Sequence, residues 1–252
     1  FYQTNQKDED NKKNPTVFPN IYYYSGNEIL GKNNISSTYQ FYNIFRDINT
    51  DIHSKEQQKL SHTLNLSTDV IRYKSRIDFQ AKIYNQLYNT RDKLIVTNNY
   101  HSGSLYRLFP ILGATISTPF KFKGNKYNFL YNPNLQVVLS PGKSNSNKIS
   151  NEDASINNFS ISNSNRLNRY SGTDKLDNSK RINYGITVDN EYIKLDLYQS
   201  YEFTNNSNYH SEQGNNHHLS DLLGSIRYQD ASKIDEEDFN NIKYTFRYDV
   251  ND

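Results

Sequence analysis

From Arg76 to Leu87 the chain alternates between two kinds of residue: Ile77, Phe79, Ala81, Ile83 and Leu87 fall on one face, and Arg76, Asp78, Gln80, Lys82 and Tyr84 on the other. A period of two is that of a strand with one apolar face, whereas an amphipathic helix would return its apolar residues every 3.6 positions. Tyr192–Phe203 repeats the pattern, with Ile193, Leu195 and Leu197 opposed by Lys194, Asp196 and Tyr198. Asn241–Tyr248 does so again, with Ile242, Tyr244, Phe246 and Tyr248 opposed by Lys243, Thr245 and Arg247. Weaker alternation marks Pro19–Tyr24, Ile35–Phe45, Leu60–Thr68, Arg107–Ser117, Tyr127–Leu139 and Leu219–Tyr228. The pattern predicts an all-β, antiparallel chain of about 10–12 strands, most of them near the ~9–11 residues a tilted strand needs to cross a bilayer.

The connections alternate in length. Short turns are expected at Asp189-Asn190, at Asp69 and at Lys123-Gly124-Asn125. Long polar loops are expected at Asp47–Gln58, Asn89–Gly103, Ser140–Ser179, Asn205–His218 and Asp230–Asp238. Short turns on one rim and long loops on the other describe an outer-membrane β-barrel. A soluble β-sandwich with one solvated face alternates in the same way and is the competing architecture.

Composition favours the barrel. Apolar residues make up only 34% of the chain, yet 22 Tyr and 13 Phe bring aromatics to 14%. Disordered chains are poor in aromatics, so apolar residues placed at every second position of many strands, between polar loops, reconcile the two figures. The net charge of +2 is spread without a basic block, which removes the usual nucleic-acid footprint. There is no cysteine, hence no disulfide framework and no thiolate metal site. No apolar run is long enough for a transmembrane helix.

Residues with catalytic chemistry form no recognisable set. His210, Glu212, His217, His218 and Asp221 lie close in sequence, but their spacing matches no zinc pattern and a solvated loop explains them. The acidic runs Glu152-Asp153 and Asp235–Asp238 fix no separation between paired carboxylates. No nucleophile elbow, phosphate loop or His-Glu-x-x-His is present. Neither an enzymatic activity nor a cofactor is expected. Tyr22-Tyr23-Tyr24 and Tyr127 to Tyr131 fit an interfacial aromatic belt better than a stacking platform.

A set of short elements in fixed order resembles the lipopolysaccharide-assembly outer-membrane protein family, LptD (OstA). Ile149-Ser150-Asn151-Glu152-Asp153 is similar to that family's Pro-Asn-Glu-Asp loop, and Asn168-Arg169-Tyr170-Ser171-Gly172-Thr173-Asp174 to its Asn-Arg-Phe-x-Gly-x-Asp-Arg element. Arg181-Ile182-Asn183-Tyr184-Gly185, Tyr198-Gln199-Ser200-Tyr201 and Leu219-Ser220-Asp221-Leu222-Leu223-Gly224 follow in order. Phe18-Pro19-Asn20-Ile21, the strand Ser37–Arg46, Tyr106-Arg107 and Pro119-Phe120 complete the resemblance upstream. Tyr170, Lys175 and Tyr198 stand where the family pattern has Phe, Arg and Gly.

The resemblance implies that residues 1–252 are part of one outer-membrane β-barrel domain, an interior piece lacking the family's N-terminal jelly-roll and terminal strands. It implies transport of lipopolysaccharide and its insertion into the outer leaflet, in the cell outer membrane. Implied partners are lipopolysaccharide, a lipoprotein plug in the lumen and the periplasmic transport bridge. Asn151, Glu152, Asp153, Asn168, Arg169, Gly172, Asp174, Arg181, Asn183, Tyr184, Gly185, Ser220 and Asp221 are its structural loop and strand residues. Lys82, Lys194, Asp196, Lys243 and Arg247 are placed to face the plug. The competing functions are a porin-like or receptor-type channel and a soluble glycan-binding sandwich.

Overall fold

The computed structural model describes residues 11–124, 127–143, 145–154, 159–190, 192–204, 218–229 and 241–248. After a 3-10 turn at Asn11–Lys13 come β1 (Thr16–Tyr24), β2 (Glu28–Leu30), β3 (Asn33–Phe45), β4 (Glu56–Arg72), β5 (Ser75–Val96) and β6 (Asn99–Ser117). They are followed by β7 (Phe120–Lys123), β8 (Asn128–Leu139), β9 (Lys180–Asp189), β10 (Ile193–Glu202), β11 (Leu222–Gln229) and β12 (Asn241–Tyr248). All 12 join one sheet in the order β1-β3-β4-β5-β6-β8-β9-β10-β11-β12, with β2 added to β3 and β7 to β8. Each pairing is antiparallel, and β1 and β12 end the path without pairing to each other among the described residues. The all-β antiparallel expectation holds, and within the described residues the sheet is not closed into a barrel.

The register divides each strand into two faces. On one, Tyr42 of β3, Lys59 of β4 and Tyr88 of β5 lie side by side, as do Gln136 of β8, Asn183 of β9 and Ser200 of β10. These six are buried. On the other face the neighbours are Phe41, Leu60, Leu87 and Tyr106, then Leu135, Tyr184 and Gln199. There Leu60, Leu87 and Tyr106 are 55%, 47% and 62% exposed. The polarity is inverted relative to a water-soluble sheet, because the polar face is covered and the apolar face is not. A soluble sandwich would have buried that apolar face against a second sheet.

What covers the polar face is the segment 145–179, the long connection between β8 and β9. It brings a small apolar contribution of its own: Leu167 and Leu176 pack with Tyr84, Phe109, Ile111 and Val138 in the one buried apolar cluster found among the described residues.

The expected turns are partly displaced. Asp69 is not a turn but a strand residue opposite Asp78; the β4–β5 turn is Tyr73-Lys74, with φ of 50° and 66°. Two positive φ values make a type I′ hairpin turn, here without the Gly or Asn that usually announces one. Asn89–Gly103 is not a loop either. β5 and β6 continue as paired arms to a turn between Val96 and Asn99, with register shifts after Thr90 and Leu94. Between β9 and β10 the turn begins one residue later than expected: Asp189 still pairs with Lys194, and Asn190 Oδ1 accepts the N–H groups of Tyr192 and Ile193.

The turn at Gly124 is as expected, its N–H donating to Tyr127 O at 3.0 Å. So is the connection from Ser140 to Ser179, whereas the two-residue turn between β5 and β6 breaks the expected alternation of short and long connections. Residues 205–217, which include His210, Glu212 and His217, and residues 230–240 lie outside the described residues.

Aromatic placement also differs in part. Phe120, Phe122 and Tyr131 pack together near the short turns, and Tyr127 meets Tyr192 edge-on at 5.7 Å. Tyr22 and Tyr24, however, pair with Gln40 and Thr38 in the phase of the polar face. Only Tyr23 of that triplet joins the apolar face, against Tyr39 at 6.1 Å. The triplet is therefore not a belt; period-two geometry splits any three consecutive aromatics between faces.

Candidate functional site: a polar strap clasped to the inner face

The segment 145–179, called the strap here, contains no strand or helix among its described residues, and many of its backbone polar groups are satisfied by side chains projecting from the sheet. Ser150 shows the principle. Its N–H donates to Gln57 Oε1 and its carbonyl accepts from Gln57 Nε2, both at 2.9 Å, so one buried amide replaces a strand neighbour. Gln136 Nε2 likewise donates to Asn165 O, and Asn183 Nδ2 to Ser164 O. Further along the sheet, Arg247 of β12 donates to Phe159 O at 2.7 Å.

Three ion-pair clasps hold the strap down. In the first, Arg46, which follows β3, grips Glu152 with both terminal nitrogens, at 3.0 and 2.6 Å. In the second, Lys59 Nζ reaches Asp153 Oδ2 at 2.8 Å, Asp174 Oδ1 at 2.7 Å and Thr173 Oγ1 at 2.7 Å, with the Lys59 side chain wholly inaccessible. In the third, Asp177 Oδ2 accepts from Arg169 Nε at 2.8 Å and Arg181 Nη1 at 2.9 Å. The first clasp balances its charges, the second has one carboxylate to spare and the third one guanidinium, so the set is neutral as a whole. Buried ions recover their desolvation cost only when paired and hydrogen-bonded, so such a set specifies where the strap sits more than it adds stability.

The family-motif residues assemble here. Asp153 Oδ1 accepts the N–H groups of Thr173 and Asp174, and Glu152 N–H returns a bond to Asp174 Oδ2, which ties the 151–154 turn to the 172–174 turn. Gly172 makes that approach possible: a Cβ there would lie 2.3 Å from Asp153 O. Asn151 closes its own turn onto Ala154, and Asn168 bridges Gly172 O and Asp177 N–H. Gly185 lies under the Tyr198 ring, where a Cβ would come within 2.3 Å. The Tyr at position 198 therefore packs onto the cross-strand glycine.

Besides Gly185, three of the expected residues lie apart from the clasps. Tyr184 is on the outer face, bonded to Gln199. Ser220 pairs with the Ser200 backbone, and Asp221 meets Arg247 at 3.5 Å. The sequence reading did not single out Lys59, Gln57, Tyr88, Gln86 or Asp177. A signal existed for the first two. Gln57 and Lys59 extend the polar phase of Ser61 upstream of Leu60, the first residue of the weak alternation in this strand.

Charges on the strap respond to these contacts. Burial alone would raise the Glu152 carboxyl, but hydrogen bonds from His53, Arg46 and Ser150 and the Arg46 charge hold it down at about 2. Burial likewise opposes the Asp153 charge, and Lys59 with the Thr173 and Asp174 N–H groups nonetheless keeps its carboxyl below the usual range. Asp174 is pushed up by its burial and by Asp153, against the pull of Lys59.

Because the folded Glu152 value lies below the unfolded one, its contribution is complete above about pH 4.5 and is lost as pH falls toward 2. The full loss is up to about 3 kcal/mol, with Asp174 acting in the opposite direction. Acidification through that window should loosen the strap, seen as faster amide exchange across 145–179. In a Glu152→Gln protein that pH dependence should shrink to the part Asp153 supplies, and an unchanged profile would remove Glu152 from the explanation.

The geometry thus defines an all-β protein turned inside out, with an apolar outer face and a polar inner face occupied by its own clasped segment. Comparison with protein-family models places it further. The LptD family model, described as LPS transport system D, matches residues 1–252, and the chain belongs to that family. Membership implies a role in lipopolysaccharide transport, in a family of outer-membrane transport and assembly proteins not known as enzymes. No relative among curated proteins matches the chain.

Proposed function

We propose that residues 1–252 contribute to one transmembrane β-barrel of the bacterial outer membrane, which moves lipopolysaccharide through its lumen and inserts it into the outer leaflet. The single observation that supports this most is the inverted polarity of the sheet. From Ser75 to Asn89 the outer-face positions of β5 are Ser75, Ile77, Phe79, Ala81, Ile83, Asn85, Leu87 and Asn89, with no charge among them. A charged residue at mid-bilayer on that face would cost about 2–4 kcal/mol. The same strand places Gln80, Lys82, Gln86 and Thr90 on the inner face, which a wet lumen accommodates.

On this reading the strap lies within the lumen as an internal constriction. The saccharide part of the lipid takes the polar route and the acyl chains leave sideways into the membrane. Lys82, Lys194, Asp196, Lys243 and Arg247 all fall in the inner phase, the face a lipoprotein plug would meet, although Arg247 is already engaged by Phe159 O and Asp221. A periplasmic bridge delivers the substrate at the short-turn rim. Depleting the protein from its bacterium should lower lipopolysaccharide at the cell surface. Undiminished surface lipopolysaccharide would sink the transport reading.

A further inference from the structure

Between the strap and the inner face of β3, β4 and β5 lies a cavity of about 530 Å³, toward the short-turn side of the clasps. Two cations border it, Lys82 from β5 and Arg166 from the strap. Neither side chain has a hydrogen-bond or ion-pair partner among the described residues, in contrast to Lys59, Arg46, Arg169 and Arg181. Arg166 is close enough for its charge to bear on Lys82. No Asp or Glu lines this cavity or the adjoining one of about 400 Å³, which shares Asn65, Gln80 and Lys82 with it. The acids of the strap are committed to the clasps, and Asp78, further along β5, is taken by Arg76 at 2.8 Å. Two like charges facing one polar hollow repel each other, and an anion placed between them removes that cost.

The rest of the lining narrows the anion. Gln40, Asn65 and Asn165 offer amides, which both donate to and accept from hydroxyl groups. Tyr22 presents an exposed ring in the inner phase of β1. Amides with an aromatic ring suit a sugar, and two free cations suit a phosphate. We propose that this cavity binds the phosphorylated end of a saccharide, with Lys82 and Arg166 on the phosphate and the amides and Tyr22 on the sugar. The choice of saccharide rests on the transport reading above, while the anion site itself rests on the two unpaired cations.

The test is equilibrium dialysis of the full-length protein in detergent against labelled glucose 6-phosphate, with glucose and inorganic phosphate as competitors. Glucose 6-phosphate should bind and glucose should compete poorly. Binding should weaken at least about tenfold in a Lys82→Gln/Arg166→Gln protein, which loses two charge-assisted hydrogen bonds. Lys82→Arg should retain most of it. Since neither side chain has a partner to lose, the unfolding midpoint should stay unchanged, and the exposed Arg166→Gln alone serves if the double variant fails to fold. Unaltered binding in these variants overturns the site. Inorganic phosphate binding as tightly as the phosphosugar overturns the saccharide half and leaves a plain anion site. Normal surface lipopolysaccharide in cells carrying a binding-dead variant takes the site off the transport path, whereas normal levels on depletion of the whole protein refute the transport reading and leave the dialysis result standing.

Discussion

Replacing Lys59 by Ala is expected to free the strap from the sheet. Its ammonium is the only cation within bonding distance of Asp153 and Asp174 among the described residues, and it sits 5.2 and 5.7 Å from the ring centres of Tyr42 and Tyr88. Without it, buried Asp174 and part-exposed Asp153 lie side by side with no cation bonded to either carboxylate, a change of up to about 3–5 kcal/mol for a broken buried pair. The β4 backbone keeps its ladder to β3 and β5, so the effect should concentrate on the strap.

Trypsin reports this directly, because Lys148, Arg166 and Lys175 are exposed on the strap. Cleavage there should accelerate well before the sheet unfolds. If the strap narrows a lumen, ion conductance of the reconstituted full-length protein should rise as well. Adding Asp174→Asn to Lys59→Ala should recover part of the loss, since it removes one of the two orphaned charges. Equal trypsin sensitivity of Lys59→Ala and wild type would show that the clasp does not hold the strap.

The strands were legible because period-two alternation is a local property, and the register preserved it. Ile77 to Leu87 lie on one face as read, and Lys82, Lys194 and Lys243 on the other. Which face would be covered was not local. Alternation is symmetric between a sheet with a dry core and one with a wet interior, and only the placement of the strap over Lys59 and Gln136 decides it. Turns misled where backbone sterics rather than residue type set them. Tyr73-Lys74 adopts two positive φ values without Gly, and Asp69 is held in the β4–β5 ladder by pairing on both sides of it.

At the site, Glu152, Asp153 and Asp174 were visible as a motif, yet their partners come from strands about a hundred residues earlier. A single sequence offers no way to assign Lys59 to Asp153 rather than to solvent. Asp177 was hidden for another reason, since a lone acid in an Asn- and Ser-rich loop looks like a solvated residue.

Asp177→Ala should be as damaging as Lys59→Ala and should differ from it in pH dependence. Asp177 is completely buried, and it accepts from Arg169 and Arg181, whose side chains are 1% and 0% exposed. Its removal brings two guanidinium groups together, with Glu202 the next acid acting on Arg181 and already bonded to Ser179 and the Lys180 N–H. A broken buried pair of this kind costs about 3–5 kcal/mol. Carboxylates left buried side by side without Lys59 are pushed above the ordinary range and can protonate, so the Lys59→Ala deficit should shrink between pH 7 and pH 5. Guanidinium groups have no such escape, since they stay charged at any pH the protein survives. The Asp177→Ala deficit, read from thermal unfolding in detergent at pH 7 and at pH 5, should therefore stay constant. An acid-relieved deficit in Asp177→Ala would mean that the two arginines had found another carboxylate, and the third clasp would then be dispensable.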